Sequence, residues 1–148
     1  MSANRVEEVM SCFQKGVNCS QAIILVYGQD LGVDRDTCLN IASVFGGGIN
    51  RTGNVCGAVT GALMAIGLKY HKVGTNKFFM GIEIPKSHEI GQEFTKKFEK
   101  RNGTIICREI IGLDSFTDEN IEQAFKTDAF KKCMKCVQDA AEILEELL

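Results

Sequence analysis

Cysteine is the residue type in this chain with the clearest chemical potential, and four of the seven cysteines lie near predicted helix starts. The most informative is Cys56, where a glycine-rich stretch over residues 45–53 turns into a helix of small residues. Cys19, Cys107 and Cys133 lie near other predicted helix starts. The free N–H groups and the dipole of a helix start stabilise a thiolate, which can act as a nucleophile or a metal ligand. The alternative is that each thiol is a small buried hydrophobe.

Cys133 and Cys136 form a C-x-x-C motif. On a helix the two residues share a face and could supply a dithiol or two metal ligands, but accidental spacing is the favoured interpretation, because the βαβ setting of thioredoxin-like motifs is missing. A zinc ribbon is unsupported without a second C-x-x-C, and the lack of C-x-x-C-H excludes covalent c-type haem. Cys12 and Cys38 are predicted to be packing residues in the middle of helices.

The glycines before Cys56 suggest an anion-binding loop. Gly46, Gly47 and Gly48 precede a helix, as in phosphate-binding nests, but the Gly-Lys-Ser/Thr ending and the preceding strand of a P-loop are missing, so nucleotide binding is rejected. We expect N–H groups at Gly47 and Gly48, together with Arg51, to stabilise negative sulfur or a small anion beside Cys56. The alternative is a tight corner between helices that needs positive φ.

The bulk composition narrows the function classes. The chain has 148 residues, a net charge of −2 and no basic stripe, which argues against a nucleic-acid partner. The longest apolar run, residues 55–68, is shorter than the roughly 20 residues of a membrane span and indicates a buried core helix. Seven cysteines with no visible secretory signal favour reduced thiols in the cytoplasm over a disulfide scaffold.

Apolar residues at helical spacing predict an all-α, single-domain bundle of six to seven helices over residues 1–148, with a central Gly/Ala-rich helix. No segment alternates long enough to predict a sheet. Residues 77–81 can begin a helix, which the Gly81 to Pro85 stretch stops. The other candidate helical segments, some of them short, span residues 4–15, 19–31, 35–44, 54–71, 89–101, 104–111, 118–125 and 128–148, with Asn18, Asp34, Thr104, Thr117 or Asp118, and Asp128 as candidate caps.

Gly57 and Gly61 give the central helix a face of small residues. Because glycine costs about 1 kcal/mol in a helix interior relative to alanine, these positions indicate close approach of another helix. That helix can belong to the same chain or to a second copy in a homodimer.

Several segments together resemble the C_GCAxxG_C_C family of redox-active proteins. The hallmark is Cys-Gly-Ala-x-x-Gly over residues 56–61, and the resemblance extends over nearly the whole chain. Further matching segments are Asn18-Cys19-Ser20-Gln21, Phe45-Gly46-Gly47-Gly48, Arg51-Thr52-Gly53, Cys107-Arg108-Glu109-Ile110-Ile111-Gly112 and Cys133 before the last helix.

The resemblance maps the four characteristic cysteines of the family onto Cys19, Cys56, Cys107 and Cys133. Related domains occur in split-Soret cytochromes, where an iron–sulfur centre is associated with the protein. This chain lacks the haem-attachment motif, so only the cysteines carry over. It departs from the pattern in Cys136 and in an insertion containing Pro85, which could add a lid or an interface.

Three functions follow as hypotheses. The first is electron transfer by a redox protein whose four cysteines bind an iron–sulfur cluster, most simply [2Fe–2S], or another thiophilic metal such as zinc. The second is a metal-free thiol–disulfide oxidoreductase that uses two of the four cysteines, with Arg51 and helix dipoles stabilising the thiolate. The third is a non-enzymatic helical dimerisation module. The first two imply a redox partner.

Overall fold

The computed structural model describes residues 2–72 and 86–148, with side chains from residue 4 onward. The predicted helix over residues 77–81 and the stretch around Pro85 lie outside these ranges. The described residues form eight α-helices and no strand, which confirms the all-α class but corrects the expected number of six to seven. The helices are α1 (Ser2–Gln14), α2 (Cys19–Asp30), α3 (Arg35–Ile41), α4 (Gly57–Tyr70), α5 (Lys86–Asn102), α6 (Cys107–Ile111), α7 (Asp118–Phe125) and α8 (Ala129–Leu147).

Local capping explains why several helices begin where the sequence predicts. Asn18 and Gln21 form a capping box at α2, in which each side chain accepts from the other residue's backbone N–H. Asp34 caps α3 and Thr117 caps α7 in the same manner, through their side-chain oxygens. Asp128 precedes α8 without a side-chain capping bond.

Helices α2 and α4 pack together at the centre of the fold across small residues. A Cβ atom at Gly61 would lie 2.7 Å from the Ser20 carbonyl oxygen, and one at Gly57 would lie 3.0 Å from the Cys19 Cβ. The small-residue face is therefore used within the chain. The opposite side of α4 is less enclosed than the sequence predicts, because Leu63 and Leu68 remain 37% and 43% exposed.

Helix α8 closes the bundle against α1, α2 and α5. Tyr27 is buried and donates from its hydroxyl to the Ala141 carbonyl at 3.1 Å and to the Glu145 carboxylate at 2.8 Å. Glu145 also pairs with Arg5 of α1 at 2.9 Å. These bonds fix one face of α8, and hence the direction in which its cysteines point. No helix in the described ranges has the length and apolar character to cross a membrane.

Candidate redox site

Three helices begin at one place in the fold, and each carries a cysteine there. Cys19 is the first residue of α2 and Cys107 is the first residue of α6. Cys56 is the N-cap of α4, which begins three residues later than predicted. The predicted Thr104 cap of α6 is also wrong, because Ile106 holds the N-cap position.

The fourth element is α8, which contributes Cys133 and Cys136. They are the fifth and eighth residues of the helix, so Cys133 lies beyond the first turn rather than at a helix start. Positions three apart project from the same side of a helix. Both thiols are buried and both face the starts of the other helices.

Five cysteines line one cavity of about 530 Å³. Cys19 is half-buried and the other four are buried. The side chains of Cys19 and Cys133 are neighbours in the cavity, and so are those of Cys56 and Cys136. The structure therefore brings together all four predicted site cysteines and adds Cys136.

The cavity thiols differ in acidity. The pKa of Cys56 is lowered, because the neighbouring Cys136 side chain and the N–H groups of Ala58 and Val59 stabilise its charged form more than desolvation opposes it. The two N–H groups act electrostatically, since Cys56 makes no side-chain capping bond. The Cys56 thiol therefore loses its proton more readily than an ordinary cysteine.

Other cavity thiols are held in the neutral form. The hydrogen bond with Cys133 and desolvation raise the pKa of Cys19. The contact with Cys56 and desolvation raise the pKa of Cys136, and burial raises the pKa of Cys107 to about 12. Placing several negative sulfurs side by side is costly, so charge at Cys56 disfavours charge on its neighbours.

A backbone bridge joins the segments that carry Cys56 and Cys107. The Cys56 N–H donates to the Ile105 carbonyl at 2.8 Å, and the Cys107 N–H donates to the Asn54 carbonyl at 2.6 Å. Val55 and Ile106 form the corresponding antiparallel β-bridge. These bonds position the starts of α4 and α6 relative to each other.

The glycine-rich loop is a run of left-handed backbone. Residues 47–51 all have positive φ, and the run includes the non-glycine residues Ile49, Asn50 and Arg51. A Cβ atom at Gly48 would lie 2.5 Å from the Asn54 nitrogen and 2.7 Å from the Cys107 Cβ. The glycines thus serve a tight corner, the alternative that the sequence left open. Left-handed backbone costs roughly 1–2 kcal/mol per non-glycine residue, and strain of this kind clusters at functional sites.

A family model described as "Putative redox-active protein (C_GCAxxG_C_C)" matches residues 17–147, and the match includes every cavity cysteine. The chain belongs to this family. Comparisons with curated proteins and with solved structures give no match.

In this member of the C_GCAxxG_C_C family, aromatic rings form part of the cavity wall. Phe13 and Phe130 stack with ring centroids 5.2 Å apart, and Phe116 and Phe125 line the same cavity. Arg51 is the one charged residue in the lining, as far as the described residues define it. An apolar wall of this kind favours ligands without charge.

Arg51 forms an ion pair with α7. Its guanidinium pairs with Asp118 at 3.3 Å, and the Arg51 side chain is 63% exposed. The groups that lower the pKa of Cys56 are its thiol neighbour and backbone N–H groups. Stabilisation of a thiolate or small anion by Arg51 and by N–H groups at Gly47 and Gly48 stays a prediction.

The donor set of the C_GCAxxG_C_C site suits a thiophilic group, since five cysteines, four of them buried, line one cavity. Over residues 2–72 and 86–148, however, no three or more His, Cys, Asp or Glu side chains are arranged to hold one metal ion. The thiols approach each other in pairs. That arrangement does not fit the four ligands that zinc gathers around a single ion.

Sequence reasoning underrated Cys136. The C-x-x-C spacing correctly placed Cys133 and Cys136 on one side of a helix, but accidental spacing was the favoured interpretation. The missing information was the orientation of α8, which depends on its contacts with α1, α2 and α5. Cys136 is 2% exposed and touches Cys56, so it belongs to the site.

Proposed function

We propose that this protein is an electron-transfer protein that binds an iron–sulfur cluster through Cys19, Cys56, Cys107 and Cys133. The observation that carries the proposal is the convergence of these cysteines, from four different helical elements, on one cavity. Membership in a family described as redox-active supports electron transfer as the class of function.

The four proposed ligands fall into two pairs, one joined by a side-chain contact and one by a backbone bridge, and this arrangement favours a [2Fe–2S] cluster over zinc. In such a cluster each of the two irons takes two protein ligands. Cys19 and Cys133 form one pair through their thiol contact. Cys56 and Cys107 form the other, because the backbone bridge holds their segments together.

When bound, the cluster would supply a one-electron redox centre. The chain's own residues would set its surroundings. Phe13 and Phe130 would cover part of the cavity with apolar surface, and the α4 start presents N–H groups near the Cys56 sulfur. Hydrogen bonds and burial near cluster sulfurs tune the reduction potential, so this end of α4 would favour the more negative state of the site.

Metal and sulfide analysis tests the proposal. Protein purified without oxygen, or reconstituted with iron and sulfide, is expected to contain both elements and to absorb visible light. Separate Cys→Ser changes at the four proposed ligands should lower the iron content, while Cys12→Ser, outside the cavity on α1, should leave it unchanged. A wild-type chain that stays colourless and iron-free after reconstitution would contradict the proposal.

A second function, metal-free thiol–disulfide exchange, is favoured by the lowered pKa of Cys56. A thiolate stabilised at a helix start is the attacking form of cysteine. The test is alkylation of the chelator-treated protein by iodoacetamide over a pH series, followed by peptide mass spectrometry. Cys56 should become reactive at lower pH than Cys107, whose pKa is raised to about 12. Equal pH dependence of the two thiols would count against this function.

A further inference from the structure

We propose that Cys56 and Cys136 form a redox-active dithiol, with Cys56 as the attacking sulfur and Cys136 as the resolving sulfur. This proposal specifies the second function and needs no cluster. It assigns a role to a cysteine outside the four that the family resemblance singles out.

The contact between the two thiols is the first support. Their side chains are neighbours and both line the same cavity, and a disulfide between them requires such proximity. Cys56 is 5% exposed and Cys136 is 2% exposed, so a bond between them would be buried in the cavity wall. Of the two, Cys56 occupies the helix start, where a thiolate is favoured.

A polar group beside Cys136 positions its thiol. The Cys136 sulfur donates to the Asn102 side-chain oxygen at 3.8 Å, and the same oxygen accepts from the Lys135 ammonium at 3.1 Å. Asn102 is itself held, because its amide nitrogen donates to the Phe98 carbonyl and to the Asp139 carboxylate. Asn102 is therefore a positioning residue that keeps Cys136 between α5 and the start of α4.

The co-reactant is a small organic disulfide without charge. The cavity is large enough for such a molecule, and its wall includes four Phe and three Ile side chains. The Cys56 thiolate attacks one sulfur of the disulfide, a mixed disulfide forms, and the first thiolate leaves and takes a proton from solvent. The Cys136 sulfur then attacks the Cys56 sulfur and the second thiol leaves with the Cys136 proton. The dithiol is oxidised to a Cys56–Cys136 disulfide, and the organic disulfide is reduced to two thiols.

Peptide mapping tests the pair directly, because trypsin separates all seven cysteines of this chain. Cleavage after Lys and Arg places Cys56 in peptide 52–69, Cys133 in peptide 133–135 and Cys136 in peptide 136–148. Chelator-treated full-length protein is incubated with bis(2-hydroxyethyl) disulfide, blocked by alkylation and digested. We expect peptides 52–69 and 136–148 to be joined, with two equivalents of mercaptoethanol released per chain.

Variants separate the two sulfurs. Cys136→Ser should stop at a mixed disulfide on Cys56 and release one equivalent, whereas Cys12→Ser should behave as wild type. Circular dichroism checks that each variant keeps its helix content, and Cys136→Ala provides a second variant if the serine chain does not fold. The proposal is overturned if the joined peptides are others, such as 16–35 with 133–135. It is equally overturned if no thiol reacts, or if Cys136→Ser releases both equivalents.

The mapping does not test the iron–sulfur proposal, whichever result it gives, because the mapped protein is free of metal. Failure is also distinct from loss of the second function, since Cys56 can still show its early alkylation in the pH series.

Discussion

Cys38 and Cys56 are both buried cysteines, yet their surroundings give them opposite properties. Cys38 in α3 is fully buried, donates to the Val33 carbonyl at 3.8 Å, and has a pKa raised by burial. Cys56 is 5% exposed, but a neighbouring thiol and helix-start N–H groups lower its pKa. Burial alone therefore does not distinguish a packing cysteine from a chemical one. The neighbours of the sulfur do.

The largest expected effect concerns the corner that supports the cavity. Gly48→Ala places a Cβ 2.5 Å from the Asn54 nitrogen at a φ of +73. We expect the free energy of unfolding to fall by about 2–5 kcal/mol from left-handed strain and overpacking. Gly67→Ala in α4 is the matched control, since its Cβ would meet no atom within 4 Å and should add about 0.5–1 kcal/mol. Urea denaturation measures both free energies of unfolding. Equal losses in the two variants would contradict the special role of the corner at Gly48.

The second test compares a serine substitution at a packing cysteine with one at a cavity cysteine. Cys38→Ser puts a hydroxyl into a packed site and should cost about 1–2 kcal/mol, while the iron content after reconstitution stays at the wild-type level. Cys19→Ser, at a half-buried cavity position, should lower iron content with a smaller loss of stability. Iron analysis and urea denaturation of both variants measure these opposite effects on iron content and on stability. Loss of iron in Cys38→Ser at unchanged helix content would break the comparison.

The third test uses alkaline pH. The Cys107 thiol has a pKa of about 12 in the folded chain against an ordinary value of 9.0. Above pH 9 the unfolded chain releases this proton first, so stability that is fully present below pH 9 is lost as pH rises toward 12. Between pH 7 and pH 10 wild type should lose about 1 kcal/mol more than Cys107→Ala. Parallel urea titrations at the two pH values measure the difference, and parallel losses would contradict the burial of a neutral thiol.

The smallest effect is expected at the exposed ion pair between Arg51 and Asp118. Asp118→Asn breaks the ion pair with Arg51, whose two side chains are 63% and 91% exposed. Exposed pairs contribute little, so the free energy of unfolding should change by less than about 0.5 kcal/mol. Glu122→Gln on the same helix, which removes an exposed pair with Lys126, is the control. A loss several times that of the control would mean that Arg51 matters to the cavity beyond its surface pair.

Local signals in the sequence predicted much of the fold. The Asn18 capping box and the caps at Asp34 and Thr117 depend on residues within one turn, so short-range spacing reveals them. The placement of cysteines near helix starts was right for Cys19, Cys56 and Cys107. Cys133 lies five residues past the Asp128 cap, as its spacing predicts, and therefore beyond the first turn of α8.

The remaining features depend on contacts between distant segments. Thr104 does not cap α6, because the chain around Ile106 is drawn into a bridge with Val55. The left-handed backbone of Ile49 could not be foreseen, because residues with branched side chains avoid it unless their surroundings impose it. The contact of Cys136 with the cavity depends on the orientation of α8, and the C-x-x-C spacing does not predict that orientation.

The bridge between the starts of α4 and α6 also has a consequence for folding. The two bridged segments are separated along the chain by α4 and α5, so a long loop must close before the Cys56 and Cys107 amides find their acceptors. We therefore expect the cavity to assemble late, after the helices themselves have formed. Once formed, these two amides should exchange with deuterium only when the segments separate. Their exchange rates would report whether the redox site is assembled, whatever is bound in it.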